Sequence, residues 1–298
     1  MLENKFPGKD LTEEDLKSKV PLCAKKSRDH RTIVKAAGVE FGGKLIPIFA
    51  GPNAVENESM IMRTAEAVKM AGAHFLRAGA FKPLSFPYRS EKYFELREEG
   101  LKLLLKAKAA FQIPIITEIM HETKVDIVAE VADILQVGAR NMQNYPLLEA
   151  VARTSKPIML KRHYGASLRD WLGAAEYILH AGNPNVILCE RGVVVPHTHR
   201  ATSRFLLDLQ VIPAAQEVTH LPVVTDPSHA TFWKPWVKPM ALSSIAAGAD
   251  GVMIEVHPDP ENAAVDPLQP IDFRDFKGLM KDMERVANAI DRTVGVSA

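Results

Sequence analysis

The chain has 298 residues, 47% hydrophobic and 24% charged, a balance ordinary for a globular protein with a substantial core. Its 37 Lys and Arg nearly cancel its 36 Asp and Glu, so no global field points to nucleic acid or an anionic membrane. A small anionic ligand would need cations clustered locally.

No apolar run approaches the roughly 20 residues that span a bilayer. The start, Met1-Leu2-Glu3-Asn4-Lys5-Phe6-Pro7, lacks the apolar centre of a signal peptide. Cys23 and Cys189 lie far apart in no metal or redox spacing. A reducing cytoplasm is the expected location.

In chain order, residues 1–43 are polar and weakly periodic. They read as an N-terminal extension that ends in a short hairpin around Thr32–Val39, Phe41 and Gly42-Gly43. From Leu45 a rhythm begins. Eight short apolar runs follow, Leu45–Ala50, His74–Ala80, Pro114–Met120, Ile134–Ala139, Pro157–Lys161, Val186–Cys189, Pro222–Thr225 and Gly251–Val256. Each is continuous rather than alternating, as parallel strands covered on both faces are. Between them lie amphipathic stretches, Met60–Ala71, Glu91–Ala110, Lys124–Ala132, Leu168–His180 and Met240–Ala247, and Phe273–Ile290 follows the last. This α/β alternation predicts a (β/α)8 barrel of the TIM type over residues 44–298. An open doubly wound sheet is the rival, but Ala50-Gly51-Pro52-Asn53 stands where such a sheet would carry G-x-G-x-x-G.

Polar residues gather just past the C-terminal ends of these runs, where barrels build active sites. They are Asn53, Arg77, Lys82, Glu118, Arg140, Lys161, Arg162, Glu190, Arg191, Asp226, His229, Glu255 and His257. A surface salt bridge would account for any one cation. Five at strand ends, Arg77, Lys82, Arg140, Lys161 and Arg191, point to a polyanionic ligand such as a phosphorylated acid. His229, Glu255 and Asp266 form an oxygen-and-nitrogen set of candidate metal ligands, although a lone His after a strand is more often a structural hydrogen bonder. Cys189, inside an apolar run, reads as an inert buried thiol. Phe232-Trp233-Lys234-Pro235-Trp236 reads as a loop able either to cover the mouth or to meet another subunit.

Several long motifs then occur in one order. They are Ala50-Gly51-Pro52, Leu76-Arg77-Ala78-Gly79-Ala80-Phe81-Lys82-Pro83, Gly138-Ala139-Arg140-Asn141-Met142-Gln143-Asn144 and Leu160-Lys161-Arg162. Ile187-Leu188-Cys189-Glu190-Arg191-Gly192, Asp226-Pro227-Ser228-His229-Ala230-Thr231 and Glu255-Val256-His257-Pro258-Asp259-Pro260 complete the set. From about residue 32 to 290 the chain resembles the short microbial, type I-beta-like branch of 3-deoxy-heptulosonate-phosphate (DAHP) synthases. More distantly it is similar to the 3-deoxy-octulosonate-8-phosphate synthases.

The resemblance implies a cytoplasmic transferase of the shikimate pathway, serving aromatic amino acid biosynthesis as a homodimer or homotetramer. It would join phosphoenolpyruvate (PEP) to the aldehyde of erythrose 4-phosphate, a related sugar phosphate or another acceptor, and release phosphate. It implies a PEP site of Arg77, Lys82, Ala139, Arg140, Lys161 and Arg191, with Pro83, Ser85 and Asp226 toward the acceptor. Asn53, Lys82, Glu118 and His229 would carry the chemistry, Glu118 by placing water or moving a proton.

Two departures stand out. The family's Ala-Gly-Pro-Cys supplies a metal-binding cysteine, and here Asn53 stands in its place. The other three ligands are retained as His229, Glu255 and Asp266. Either catalysis needs no metal, as in octulosonate synthases that carry asparagine there, or these three still hold Mn, Zn, Fe or Co with water filling the gap. The second departure is on the acceptor side. Lys82-Pro83-Leu84-Ser85 lacks the arginine of the family's Lys-Pro-Arg-Ser/Thr. The stretch Val193–Arg200 and the aromatic run after Thr231 also differ. Either Arg89, Arg200 or Lys234 supplies the missing cation, or the second substrate is different. A barrel that binds PEP or a sugar phosphate without catalysis would also carry Asn53 and Leu84, although the intact cation set speaks against it.

Overall fold

Eight short strands, buried along nearly their whole length, close on themselves in the computed structural model, which describes residues 11–83, 95–201, 203 and 205–295. They are β3 (Ile48–Gly51), β4 (Phe75–Arg77), β5 (Ile115–Ile119), β6 (Ile134–Val137), β7 (Ile158–Lys161), β8 (Val186–Glu190), β9 (Val223–Thr225) and β10 (Val252–Glu255). All neighbours pair in parallel, and β10 closes the ring against β3 with Val252 opposite Ile48. Every strand falls within or overlaps one of the eight apolar runs. The barrel is therefore the expected (β/α)8 type.

The hairpin in the N-terminal region has a structural task. Its strands, β1 (Val34–Ala36) and β2 (Val39–Phe41), pair antiparallel around Ala37-Gly38. Both turn residues are left-handed (φ 47° and 81°), as a tight two-residue hairpin requires. Val34, Ala36 and Phe41 pack against one inward residue from each barrel strand: Phe49, Phe75, Ile116, Ile134, Met159, Ile187, Val224 and Met253. The Phe41 ring sits 5.4 Å from Phe49 and 5.7 Å from Phe75. Most of these contacts lie near the N-terminal ends of the strands, so the hairpin plugs that end and leaves the other for ligands.

Helices surround the barrel, and several are nucleated by local signals. In α2 (Glu58–Met70) the Asn57 side chain accepts the Met60 amide. In α6 (Leu168–His180) Ser167 and Asp170 form a capping box, and buried Trp171 donates Nε1–H to Leu160 O. In α10 (Phe273–Asn288) Asp272 caps the first turn. Two boundaries differ from expectation. The helix expected over Glu91–Ala110 is α3 (Glu98–Phe111), entered through a left-handed Arg97; residues 91–94 lie outside the described residues. The helix expected from Met240 begins at Lys234 as α9 (Lys234–Ala246), because Pro235 occupies the first turn, where its missing N–H is not needed. Trp236 thus belongs to a helix, not a loop. No helix among the described residues is long and apolar enough to cross a membrane.

His74, between α2 and β4, gives stability a pH dependence. Burial, with Lys69 nearby, lowers its pKa from 6.5 to about 4, and Nδ1 accepts the Ile48 amide. The unfolded chain binds this proton more strongly, so this contribution is complete above pH 6.5 and is lost as pH falls toward 4. The loss should be about 2–3 kcal/mol. Denaturant midpoints from pH 7.5 to 4.5 should fall less for His74→Asn than for the wild type; equal slopes would refute this.

Candidate active site

Past the C-terminal ends of the strands a cavity of about 730 Å³ opens. All five strand-end cations reach it: Arg77 closing β4, Lys82 five residues on, Arg140 in the one-turn helix after β6, Lys161 closing β7 and Arg191 just past β8. Glu118, Ala139, Pro83, His229 and Asp266 line it as well. Arg77 and Lys161 are buried, while Arg140 is exposed. Leu84, Ser85 and Arg89 lie outside the described residues.

Behind the cations lies a layer of carboxylates. Lys161 Nζ is 2.5 Å from Asp226 Oδ2, and His229 Nδ1 is 2.9 Å from the same oxygen. His229 Nε2 stands 3.7 Å and Arg77 Nη1 3.6 Å from Glu255 Oε2, to which Gln269 Nε2 also donates. Burial works against the Asp226 carboxylate, yet His229 and Lys161 hold it well below the usual range. Burial, with Lys161 and Arg77 adding to it, drives His229 well down despite Asp226, so its imidazole is neutral. Burial pushes Glu255 up to about 8 against the pull of Arg77. The Lys82 ammonium is lowered by burial and supported by Glu118 and Asp266.

Other strand-end residues turn away from the cavity. Arg162 bridges Glu190 (3.0 Å) and Asp208 (2.8 Å), while Glu190 accepts the Gly192 amide; this buried knot anchors the loop after β8. His257 sits 3.3 Å from Glu56, which accepts the Ala264 amide and so steadies the segment bearing Asp266. The Cys189 thiol is fully buried in the barrel interior, where burial pushes its pKa far up and makes it a poor nucleophile. Trp233 lies under the Arg200 guanidinium (3.5 Å to the ring centre), and Trp236 lines a separate apolar cavity of about 420 Å³.

Some site residues escape a reading of strand-end charges. Gln136 donates to Glu118 Oε2 at 3.2 Å, and the Ser228 hydroxyl accepts the Glu255 amide. Tyr164, Val194 and Phe205 wall one side of the cavity. Gln136 was visible as a lone polar residue in an apolar run; Phe205 carried no such signal.

A profile of the DAHP synthetase I family matches residues 31–292. The chain belongs to that family. Over 292 residues it is 36% identical to the phospho-2-dehydro-3-deoxyheptonate aldolase of Thermotoga maritima, covering 97% of this chain and 85% of that one. The crystal structure of the Thermotoga enzyme superposes with a TM-score of 0.84 at 37% identity, over 91% of this chain and 78% of that chain. A truncated form of the Thermotoga synthase gives 0.83 at 35% identity, over 92% of this chain and 99% of that one. The 2-dehydro-3-deoxyphosphooctonate aldolase of Pisum sativum is 33% identical over 261 residues, 79% of this chain and 86% of that one.

DAHP synthases generally use a divalent metal. The donor set here fits one poorly. Asn53 turns its amide nitrogen to Asp266 Oδ2 at 2.8 Å, so a hydrogen-bond donor rather than a thiolate occupies that corner. Its buried Oδ1 has no hydrogen-bond partner among the described residues, and a neutral amide oxygen is a weak replacement for anionic sulfur. Among the described residues no three His, Cys, Asp or Glu side chains are grouped to hold an ion.

Proposed function

We propose that this DAHP synthase homologue condenses PEP with a phosphorylated aldose, erythrose 4-phosphate first, and needs no metal to do so. The observation that carries the reading is five cations on one cavity of a nearly neutral protein, two of them buried. Arg77, Lys82, Arg140, Lys161 and Arg191, with the backbone at Ala139, hold the phosphate and carboxylate. PEP C3 forms a bond to the aldehyde carbon, water adds at C2, and the C2–O bond to phosphate breaks. The products are a 3-deoxy-2-keto acid phosphate and inorganic phosphate. Glu118, steadied by Gln136, receives one proton of the attacking water, the aldehyde oxygen gains one to become a hydroxyl, and the C2 hydroxyl proton leaves with the phosphate. Neutral His229, its Nδ1–H on Asp226, offers Nε2 as an acceptor to the forming hydroxyl. Pro83, on the cavity wall, belongs to the acceptor end, while buried Asp226 acts from behind through Lys161 and His229.

The test is phosphate release from PEP after exhaustive chelation, offering erythrose 4-phosphate, arabinose 5-phosphate or ribose 5-phosphate. Turnover with erythrose 4-phosphate should persist within about twofold. Loss on chelation with recovery on added Mn²⁺ or Zn²⁺ would overturn the metal-free reading. Turnover with arabinose 5-phosphate alone would make this an octulosonate-type synthase, the activity named for the pea relative. PEP binding with no turnover on any of the three would refute the choice of acceptor.

A further inference from the structure

We propose that Phe205 is a positioning residue that fixes the plane of the Arg191 guanidinium on PEP; this rests on the PEP reading above. The Arg191 guanidinium carbon lies 4.4 Å from the centre of the Phe205 ring, and both side chains line the cavity. A guanidinium carries all its N–H donors in its own plane, so a ring on its face orients it without using a donor. Substrate oxygens then meet a pre-oriented fork, and less rotamer freedom is lost on binding.

The two are 14 positions apart in sequence, and the backbone brings them together. Val193 and Leu206 exchange two backbone hydrogen bonds of 2.9 Å each, making a short antiparallel ribbon that returns the chain beside Arg191. Gly192 permits the close approach: it is left-handed (φ 100°), and a Cβ there would lie 2.8 Å from Phe205 Cβ. On the other side the Tyr164 ring sits 5.4 Å from Phe205, and Tyr164 O accepts the Val194 amide at 2.8 Å. Phe205 is thus held from two loops, one after β7 and one after β8, with its ring against the cation.

The experiment compares wild type, Phe205→Ala, Phe205→Leu and Phe205→Tyr for PEP affinity by calorimetry, for KM and kcat in phosphate release, and for melting temperature. A stacked, partly desolvated cation–π contact predicts PEP affinity about five- to tenfold weaker in Phe205→Ala and Phe205→Leu. KM for PEP should rise with kcat within about twofold, and Phe205→Tyr should match wild type. Leu fills much of the same space, so wild-type affinity in Phe205→Leu would overturn the role. A fall in kcat with unchanged PEP affinity would overturn it too. If the wild type itself does not bind PEP, the reading of the cavity fails and this assignment falls with it.

Discussion

Replacing Lys161 with methionine will cost the protein stability and PEP affinity together, and a second substitution will restore only the first. Lys161 and Asp226 are buried and 2.5 Å apart. Removing the ammonium leaves a carboxylate without its main counter-charge, a change worth about 3–5 kcal/mol for a buried pair. It also removes a charged donor from the PEP site, worth roughly 1.5–3 kcal/mol, or about ten- to a hundredfold in affinity. The double variant Lys161→Met/Asp226→Asn removes both charges but keeps the Asp226 Oδ1 position that caps the His229 amide. Its denaturant midpoint should return most of the way to wild type while PEP binding stays weak. A single variant within about 1 kcal/mol of wild type would mean that Asp226 is not ionised beside Lys161.

Gly138→Ala should lower turnover about a hundredfold with a stability change under about 1 kcal/mol. Gly138 has φ −68° and ψ 157°, a conformation alanine adopts freely, so the backbone is not strained. The added Cβ would lie 2.0 Å from Glu118 Oε1 and 2.8 Å from its Cδ. The carboxylate must swing aside and give up its bond from Gln136. Affinity for PEP should change less than kcat, because all five cations remain and only Lys82 loses a nearby carboxylate. Adding Glu118→Gln to Gly138→Ala should lower kcat no further, since both disable one group. Turnover of Gly138→Ala within threefold of wild type would remove Glu118 from the chemistry.

The barrel was legible in the sequence because a strand buried on both faces must be apolar at nearly every position, a signal that survives without any tertiary knowledge. The hairpin turns at Ala37-Gly38 rather than at the Gly42-Gly43 named from the sequence, and its task was not legible: Phe41 reaches Phe49 and Phe75 only once the barrel has closed. The five cations were legible because they stand at strand ends, where side chains of this architecture meet.

Which strand-end residues turn inward was decided by tertiary structure. Lys161 and Arg162 are neighbours in sequence, and successive side chains at the end of a strand point to opposite sides. One therefore lines the cavity while the other ties down the loop after β8. Glu118 and Gln136 are 18 residues apart and meet because β5 and β6 pair with those two positions in register. Asn53 departs from the family by its residue type alone, a neutral amide in place of a thiolate. That its nitrogen turns to Asp266, 213 residues away, depends on the closure of β10 against β3, and residue order alone cannot encode such a contact.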